Sequence, residues 1–185
     1  MAELFFIRHG ETEANVNGIL TGRLESNLTH KGIIDAKNLA SNLPKKFDFY
    51  YCSPLKRTHQ TLKAIKGEVE FLIDERLTEV YSGVWQGKNK FELPLEEYNL
   101  YKKGLFNPPK GEKLFEVDQR IKSFLKDIFQ NHKIGDKILI VTHNAFMRNL
   151  KRLFIDSDQV AELKNLEIFV VNDKMYKKML EEEVK

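Results

Sequence analysis

Cysteine is nearly absent from this 185-residue chain, which contains only Cys52. A single thiol cannot form an internal disulfide or build a thiolate metal site. We therefore expect a cytoplasmic protein, because chains without disulfides are typical of reducing compartments. No apolar run approaches the roughly 20 residues that span a bilayer, and the first residues lack the basic stretch of a signal peptide. These absences predict no membrane partner.

A strong charge of either sign is also lacking. Lys and Arg number 30 against 27 Asp and Glu, a net charge of +3. Nucleic-acid-binding proteins typically concentrate basic residues on one face, so we expect no nucleic-acid partner. No pair of histidines flanks an acid at metal-ligand spacing, so we expect no metal and no cofactor. With 42% hydrophobic and 31% charged residues, residues 1–185 are expected to form a single globular domain.

Apolar runs alternate with helical patterns along the chain, which predicts an α/β fold with a mainly parallel sheet covered on both faces. Residues 88–110, with their prolines and glycine, are interpreted as a loop-rich, lid-like insertion. Residues 168–180 suggest a closing hairpin, although the lysine-rich tail also fits a helix. Strands are predicted at 4–7, 47–52, 69–73, 137–142 and 168–171, and helices at 29–43, 53–67, 112–132 and 144–154. The second helix is expected to have Ser53 as its N-cap and Pro54 as its first residue.

The first predicted strand ends abruptly in Arg8, His9 and Gly10. Imidazole is mostly neutral, and therefore nucleophilic, at physiological pH, and the guanidinium of Arg8 offers a fork for phosphate oxygens. The pattern predicts a phosphate-handling site. On these residues alone, a strand-end histidine beside a surface arginine is an equal interpretation.

Two other predicted strands end in chemistry-bearing residues. Ser53 precedes a helix with Arg57 in its first turn, where the helix dipole favours an anion, and His143 follows a buried strand. Because ligands of such sheets bind at the carboxyl ends of the strands, we expect these residues to converge with His9. Taken alone, Arg57 also fits a surface charge and His143 a core histidine.

The run Arg8-His9-Gly10-Glu11-Thr12 resembles the signature of the histidine phosphatase superfamily, the phosphoglycerate mutase-like enzymes. Residues 53–61, 74–87 and 141–148 are similar, in order, to further motifs of that family, so the resemblance covers almost the whole chain. It implies a three-layer α/β/α sandwich around a six-stranded mixed sheet, with one antiparallel strand near the end of the chain.

The resemblance also implies a two-step phosphoryl transfer. His9 would attack phosphorus, while Glu79 would protonate the leaving oxygen and later activate a water. The charge on the phosphoryl oxygens would be spread by Arg8, Arg57 and His143. Phosphate or substrate binding is assigned to Asn15, Thr21, Gly22, Arg23 and Asn144, of which Asn144 stands where the family most often has glycine.

We expect a metal-independent phosphatase that acts on a small phosphorylated metabolite. A phosphoglycerate mutase would share the phosphohistidine step, but the 88–110 insertion is short for one. A non-catalytic phosphoester-binding module is a further alternative. The run Asp156-Ser157-Asp158 resembles the nucleophile motif of magnesium-dependent haloacid dehalogenase-type enzymes, but the basic helical pattern before it predicts a turn. The sequence leaves the substrate open, as well as the choice between monomer and homodimer.

Overall fold

The computed structural model of the chain describes residues 2–155 and 163–183. The strands are β1 (Glu3–Arg8), β2 (Phe49–Cys52), β3 (Leu72–Ile73), β4 (Lys137–Thr142) and β5 (Ile168–Asn172). The α-helices are α1 (Glu13–Val16), α2 (His30–Leu39), α3 (Lys56–Lys66), α4 (Leu95–Lys102), α5 (Leu114–Asn131), α6 (Asn144–Arg152) and α7 (Asp173–Glu183). Single 3-10 turns cover Ala40–Asn42, Glu75–Leu77, Gly83–Trp85 and Lys90–Glu92.

The strands of the described residues form one sheet in the order β3-β2-β4-β1-β5. Four of them are parallel, and β5 runs antiparallel to β1. The register pairs Arg8 with Thr142 and Cys52 with Val141, so β1, β2 and β4 end at the same edge. The predicted α/β fold with a mixed, mainly parallel sheet is confirmed.

Hydrophobic cores lie on both faces of the sheet, which makes three layers. Strand β1 contributes side chains to both cores, because alternate side chains of a strand point to opposite faces of the sheet. Leu4 and Phe6 pack in the core that contains residues of α5, α6 and α7. Ile7 packs in the core that contains residues of α2 and α3. The apolar runs of β1 and β4 are therefore typical of strands that are buried on both sides.

The number of strands differs from the expectation. The described residues contain five strands rather than six, and the predicted closing hairpin is β5 followed directly by α7. Met175, Tyr176 and Met179 have the spacing of one helix face, and Tyr176 and Met179 are buried in the core. The alternative helical interpretation of the tail is therefore correct.

The second predicted helix begins later than expected. It starts at Lys56 with Leu55 at the N-cap, so the assignments of Ser53 and Pro54 as cap and first residue are wrong. The Ser53 hydroxyl oxygen accepts the N–H of Leu55 at 3.2 Å in the turn before the helix. The third strand is also shorter than predicted, since only Leu72 and Ile73 pair with β2.

Residues 88–110 contain the 3-10 turn Lys90–Glu92 and helix α4. Trp85, Leu93 and Tyr101 are buried together here, with Tyr98 and Phe106 packed against them. These aromatic residues therefore build a small core of their own. Among the helices of the described residues, none combines the length and the apolarity that crossing a membrane requires.

Candidate active site

The residues that follow β1, β2 and β4 meet at one edge of the sheet, as predicted. The rings of His9 and His143 lie 5.3 Å apart between centroids. Arg57, in the first turn of α3, donates from Nε to Nδ1 of His143 at 3.2 Å. His9, Arg57 and His143 are each less than 5% exposed, so they form a buried cluster.

The tautomer of His9 follows from its hydrogen bond. Nδ1 lies 2.8 Å from the carbonyl oxygen of Gly10, which only accepts, so Nδ1 carries the proton. Burial lowers the pKa of His9 well below its ordinary value, and the charges of Arg57 and Arg8 lower it further. The ring is therefore neutral at physiological pH, and its Nε2 carries a free lone pair.

His143 has the opposite tautomer. Its Nδ1 accepts from the Arg57 guanidinium, so the proton is on Nε2, which lies 2.7 Å from the hydroxyl oxygen of Ser53. Burial lowers the pKa of His143 well below its ordinary value, and Arg57 adds to this effect. His143 is therefore a neutral N–H donor rather than a cation.

The loop after α1 holds Arg57 in place. The terminal nitrogens of Arg57 donate to the carbonyls of Gly22 and Leu24, both at 2.8 Å. Gly22 has φ +51°, and a Cβ there would lie 2.7 Å from Oε1 of Gln86. The positive φ favours glycine at this position, because residues with a Cβ rarely adopt it, whereas the flexible Gln86 side chain could move aside.

Glu79 lies against the first turn of α6. Its carboxylate accepts the N–H groups of Val80, Ala145 and Phe146 at 2.8, 3.2 and 3.1 Å. The unpaired N–H groups and the dipole at the start of a helix favour a negative charge there. The contacts hold an oriented carboxylate beside His143, the residue immediately before α6.

Arg8 ends β1, and its guanidinium donates to the carbonyl of Leu163, far along the chain. Asn15 lies in α1, and its Oδ1 accepts from the N–H of Thr12 at 3.2 Å and from Nδ2 of Asn165 at 3.1 Å. The orientation of the Asn15 amide is thereby fixed. Its Nδ2 has no protein partner among the described residues and can donate to a ligand.

The remaining predicted residues have different surroundings. Arg23 lies beside the acid, because its Nε donates to the carbonyl of Glu79 at 3.1 Å. Asn144 is the first residue of α6, and its Oδ1 is buried without a hydrogen-bond partner in the described part of the chain. The Thr21 carbonyl accepts from the N–H of Leu24 at 2.9 Å, which closes the turn whose Gly22 and Leu24 carbonyls accept from Arg57. Thr21 therefore lies in the turn that contacts the cluster.

Asn165 was missed by the sequence analysis. Its Nδ2 donates both to the carbonyl of His9 at 3.0 Å and to Asn15. No local motif marks this residue, because its partners lie about 150 positions earlier in the chain.

The cluster offers a neutral imidazole nucleophile, two guanidinium groups, an N–H donor and an oriented carboxylate. Such a set can bind a phosphoryl group and transfer it to His9. In residues 2–155 and 163–183, no three His, Cys, Asp or Glu side chains are grouped to hold a metal ion. The Asp156-Ser157-Asp158 run lies outside the described residues.

Known proteins share both the sequence and the fold. The model of the histidine phosphatase superfamily (branch 1) matches residues 4–173. Phosphoserine phosphatase 1 of Hydrogenobacter thermophilus is 32% identical over 157 residues, which cover 80% of this chain and 74% of the relative. A phosphoglycerate mutase of Schizosaccharomyces pombe is 32% identical over 161 residues, 80% of this chain and 76% of the relative.

A solved structure of a phosphatase has the same fold. A phosphoserine phosphatase mutant from Entamoeba histolytica, in complex with phosphoserine, superimposes with a TM-score of 0.77 at 29% identity. The match covers 92% of this chain and 90% of that one. By its sequence, its fold and the order of its motifs, the chain belongs to the histidine phosphatase superfamily.

Proposed function

We propose that this protein is a phosphomonoesterase that transfers the phosphoryl group of a small metabolite first to His9 and then to water. The observation that carries the proposal is the hydrogen bond from His9 Nδ1 to the Gly10 carbonyl. It leaves the Nε2 lone pair available in a pocket whose guanidinium groups attract a phosphate. The names of relatives, two of which are phosphoserine phosphatases, support a small phosphorylated substrate.

In the first step, Nε2 of His9 attacks phosphorus and the bond from phosphorus to the ester oxygen breaks. Positive charge develops on the imidazole, and the Gly10 carbonyl stabilises it at Nδ1–H. Arg8, Arg57 and the Nδ2 of Asn15 bind the phosphoryl oxygens, and the N–H of His143 joins them by exchanging the Ser53 hydroxyl for a phosphoryl oxygen. The carboxylate of Glu79 takes up a proton as the phosphate dianion binds beside it, and gives that proton to the leaving oxygen.

In the second step, Glu79 takes a proton from water, which attacks the phosphohistidine and releases phosphate. The Arg57 and Arg8 charges do in this scheme what a metal ion does in magnesium-dependent phosphatases, so we expect turnover without metal. Arg23 and Asn144, near Glu79, are proposed substrate contacts, and so are Thr21 and Gly22, in the turn that contacts the Arg57 guanidinium. We further propose a single domain over residues 1–185, with 88–110 as its lid-like insertion, in the cytoplasm.

Phosphoglycerate mutase is the second candidate, because several relatives carry that name. A mutase must exclude water from its phosphohistidine. The test uses 3-phosphoglycerate with catalytic 2,3-bisphosphoglycerate and EDTA, and follows phosphate and 2-phosphoglycerate in one reaction, with His9→Ala as control.

We expect the wild type to release phosphate faster than it forms 2-phosphoglycerate, and His9→Ala to do neither. Rapid isomerisation with negligible phosphate release would instead establish the mutase. Loss of activity in EDTA with recovery in magnesium would favour the Asp156-Ser157-Asp158 hypothesis.

A further inference from the structure

Arg57 and Arg148 are deeply buried arginines that pair with no carboxylate of the described residues. They are 1% and 8% exposed. Four other arginines do form ion pairs with carboxylates, namely Arg23, Arg76, Arg120 and Arg152. A buried guanidinium without a counter-ion is costly, unless an anion from outside completes it. For Arg57 the proposed phosphoryl group is that anion, whereas Arg148 has no such partner in the proposed reaction.

Arg148 lines a cavity between α6 and the 88–110 insertion. One terminal nitrogen donates to the carbonyl of Lys102 at 2.6 Å, and the guanidinium carbon lies 5.4 Å from the centre of the Tyr101 ring. Its Nε is buried and has no hydrogen-bond partner in the described part of the chain. The guanidinium therefore keeps donor capacity that the protein does not use.

The charge of the cavity favours an anion. Glu112 is the one acidic residue among the described residues that line it. That carboxylate is already bonded to Arg23 and Arg120. The space for water in the cavity is about 30 Å³, which is room for one or two waters. A small anionic group that displaces them would fit.

The cavity begins next to the proposed general acid. Val80 and Ala145 line it, and the N–H groups of these same residues hold the carboxylate of Glu79. Arg148 lies one turn after Ala145 on the same face of α6, and both residues line the cavity. A leaving group whose ester oxygen is at Glu79 has this cavity as its neighbour.

We propose that Arg148 binds a carboxylate on the leaving group, and that the enzyme thereby favours phosphomonoesters of small hydroxy acids. The inference rests on the proposed function, since it concerns the leaving group of that reaction. A carboxylate matches the planar guanidinium fork and is small enough for the cavity. Arg148 would then determine specificity through binding, without taking part in phosphoryl transfer.

The test compares substrates that differ in one group. 3-Phosphoglycerate and glycerol 3-phosphate share a skeleton, with a carboxylate in the first and a hydroxymethyl group in the second, and p-nitrophenyl phosphate has neither. We expect the wild type to prefer 3-phosphoglycerate to glycerol 3-phosphate in kcat/KM. Arg148→Met should lower kcat/KM for 3-phosphoglycerate by about 10- to 100-fold, mainly through KM, as for a lost charged hydrogen bond. The kcat/KM for glycerol 3-phosphate and for p-nitrophenyl phosphate should change by less than about twofold.

The matched control is Arg152→Met, because Arg152 lines the same cavity but pairs with Asp118. Arg152→Met should change kcat/KM by the same factor for all three substrates. Arg148→Lys keeps the positive charge, so it should retain part of the preference for 3-phosphoglycerate over glycerol 3-phosphate. If Arg148→Met fails to fold, the size of this preference in Arg148→Lys, compared with wild type, is the test of the inference.

Equal losses on all three substrates, or no preference in the wild type, would overturn the inference and leave the phosphatase intact. Release of p-nitrophenol by wild type but not by His9→Ala confirms that the proposed function still stands in that case. If the wild type releases phosphate from none of the three, both the proposed function and this inference fail.

Discussion

At the scale of single residues, His9 and His143 are neutral for the same reason and carry opposite tautomers. Both are desolvated beside Arg57, which lowers the pKa of each ring. Gly10 keeps the proton of His9 on Nδ1, while Arg57 keeps that of His143 on Nε2. The Gly10 carbonyl thus leaves His9 with a free Nε2 lone pair for attack, and the Arg57 guanidinium leaves His143 with an N–H to donate.

The lowered pKa values predict how stability depends on pH. The unfolded chain binds protons on these histidines near their ordinary pKa of about 6.5, whereas the folded protein does not until lower pH. Their contribution to the free energy of unfolding is therefore complete above that pH and is lost as pH falls toward the folded-state pKa values. Each group should contribute up to about 1.4 kcal/mol per pH unit in this window.

Denaturant unfolding of wild type and His9→Asn between pH 7.5 and 5 measures this dependence. Asn can keep the hydrogen bond to Gly10 but does not titrate, so the variant should have the shallower decline. The matched control is His30→Asn on the exposed side of α2, which should keep the wild-type slope. Equal slopes in His9→Asn and wild type would contradict the assignment of a neutral, buried His9.

Glu79→Gln should separate proton transfer from binding. With alkyl phosphates we expect a loss of about 10²- to 10⁴-fold in kcat, because the leaving alkoxide then receives no proton. With an aryl phosphate, whose leaving group needs no proton, the phosphorylation step should be much less affected. Stopped-flow release of p-nitrophenol measures that step, and Glu75→Gln, at an exposed position, is the control. An equal loss for both leaving groups would mean that Glu79 only positions the substrate.

At the scale of elements, two connections build the site. The junction of β4 and α6 supplies both His143 and the N–H groups of Ala145 and Phe146 that hold Glu79. The donor to the phosphoryl group and the general acid are therefore fixed by the same turn. The second connection is the segment Leu163–Glu167, whose backbone and side chains contact Arg8 and His9.

Within this segment, Asn165 is the residue whose substitution we expect to disturb the position of His9. Asn165→Ala would leave the His9 carbonyl and the Asn15 Oδ1 without their shared donor. We expect kcat/KM to fall by about 3- to 10-fold, as for one lost hydrogen bond, with weaker inhibition by vanadate. Asn165→Asp cannot donate and should be no better than Asn165→Ala.

The control for this segment is Lys164→Ala, since Lys164 is exposed, and it should leave both quantities unchanged. An Asn165→Ala enzyme with wild-type kcat/KM and vanadate inhibition would show that the segment does not position the site.

At the scale of the whole molecule, the parts that the sequence predicts well are those with local signals. The buried run before Arg8 and the one before His143 predict parallel strands, and parallel strands place their carboxyl ends at one edge. The convergence of His9, Arg57 and His143 follows from that rule.

Other features depend on contacts between distant parts of the chain. The Ser53-Pro54 pair has the composition of a helix start, but the Ser53 hydroxyl is bonded to His143 and Leu55 instead. The tail after β5 fits both a strand and a helix by its local pattern, and the burial of Tyr176 and Met179 in the core selects the helix. Asn165 carries no local signal, because its partners lie about 150 positions earlier in the chain.

The central claim is that His9 is phosphorylated on Nε2 during turnover, and trapping that intermediate tests it most directly. Rapid quench of the enzyme in mid-reaction, followed by peptide mapping and ³¹P spectroscopy, identifies both the residue and the atom. We predict an acid-labile, alkali-stable phosphoryl group on Nε2 of His9, absent in His9→Ala, because Nδ1 is held by the Gly10 carbonyl. A phosphoryl group on Nδ1 would contradict the assigned tautomer, and an acyl phosphate or an acid-stable ester on another residue would contradict the mechanism itself.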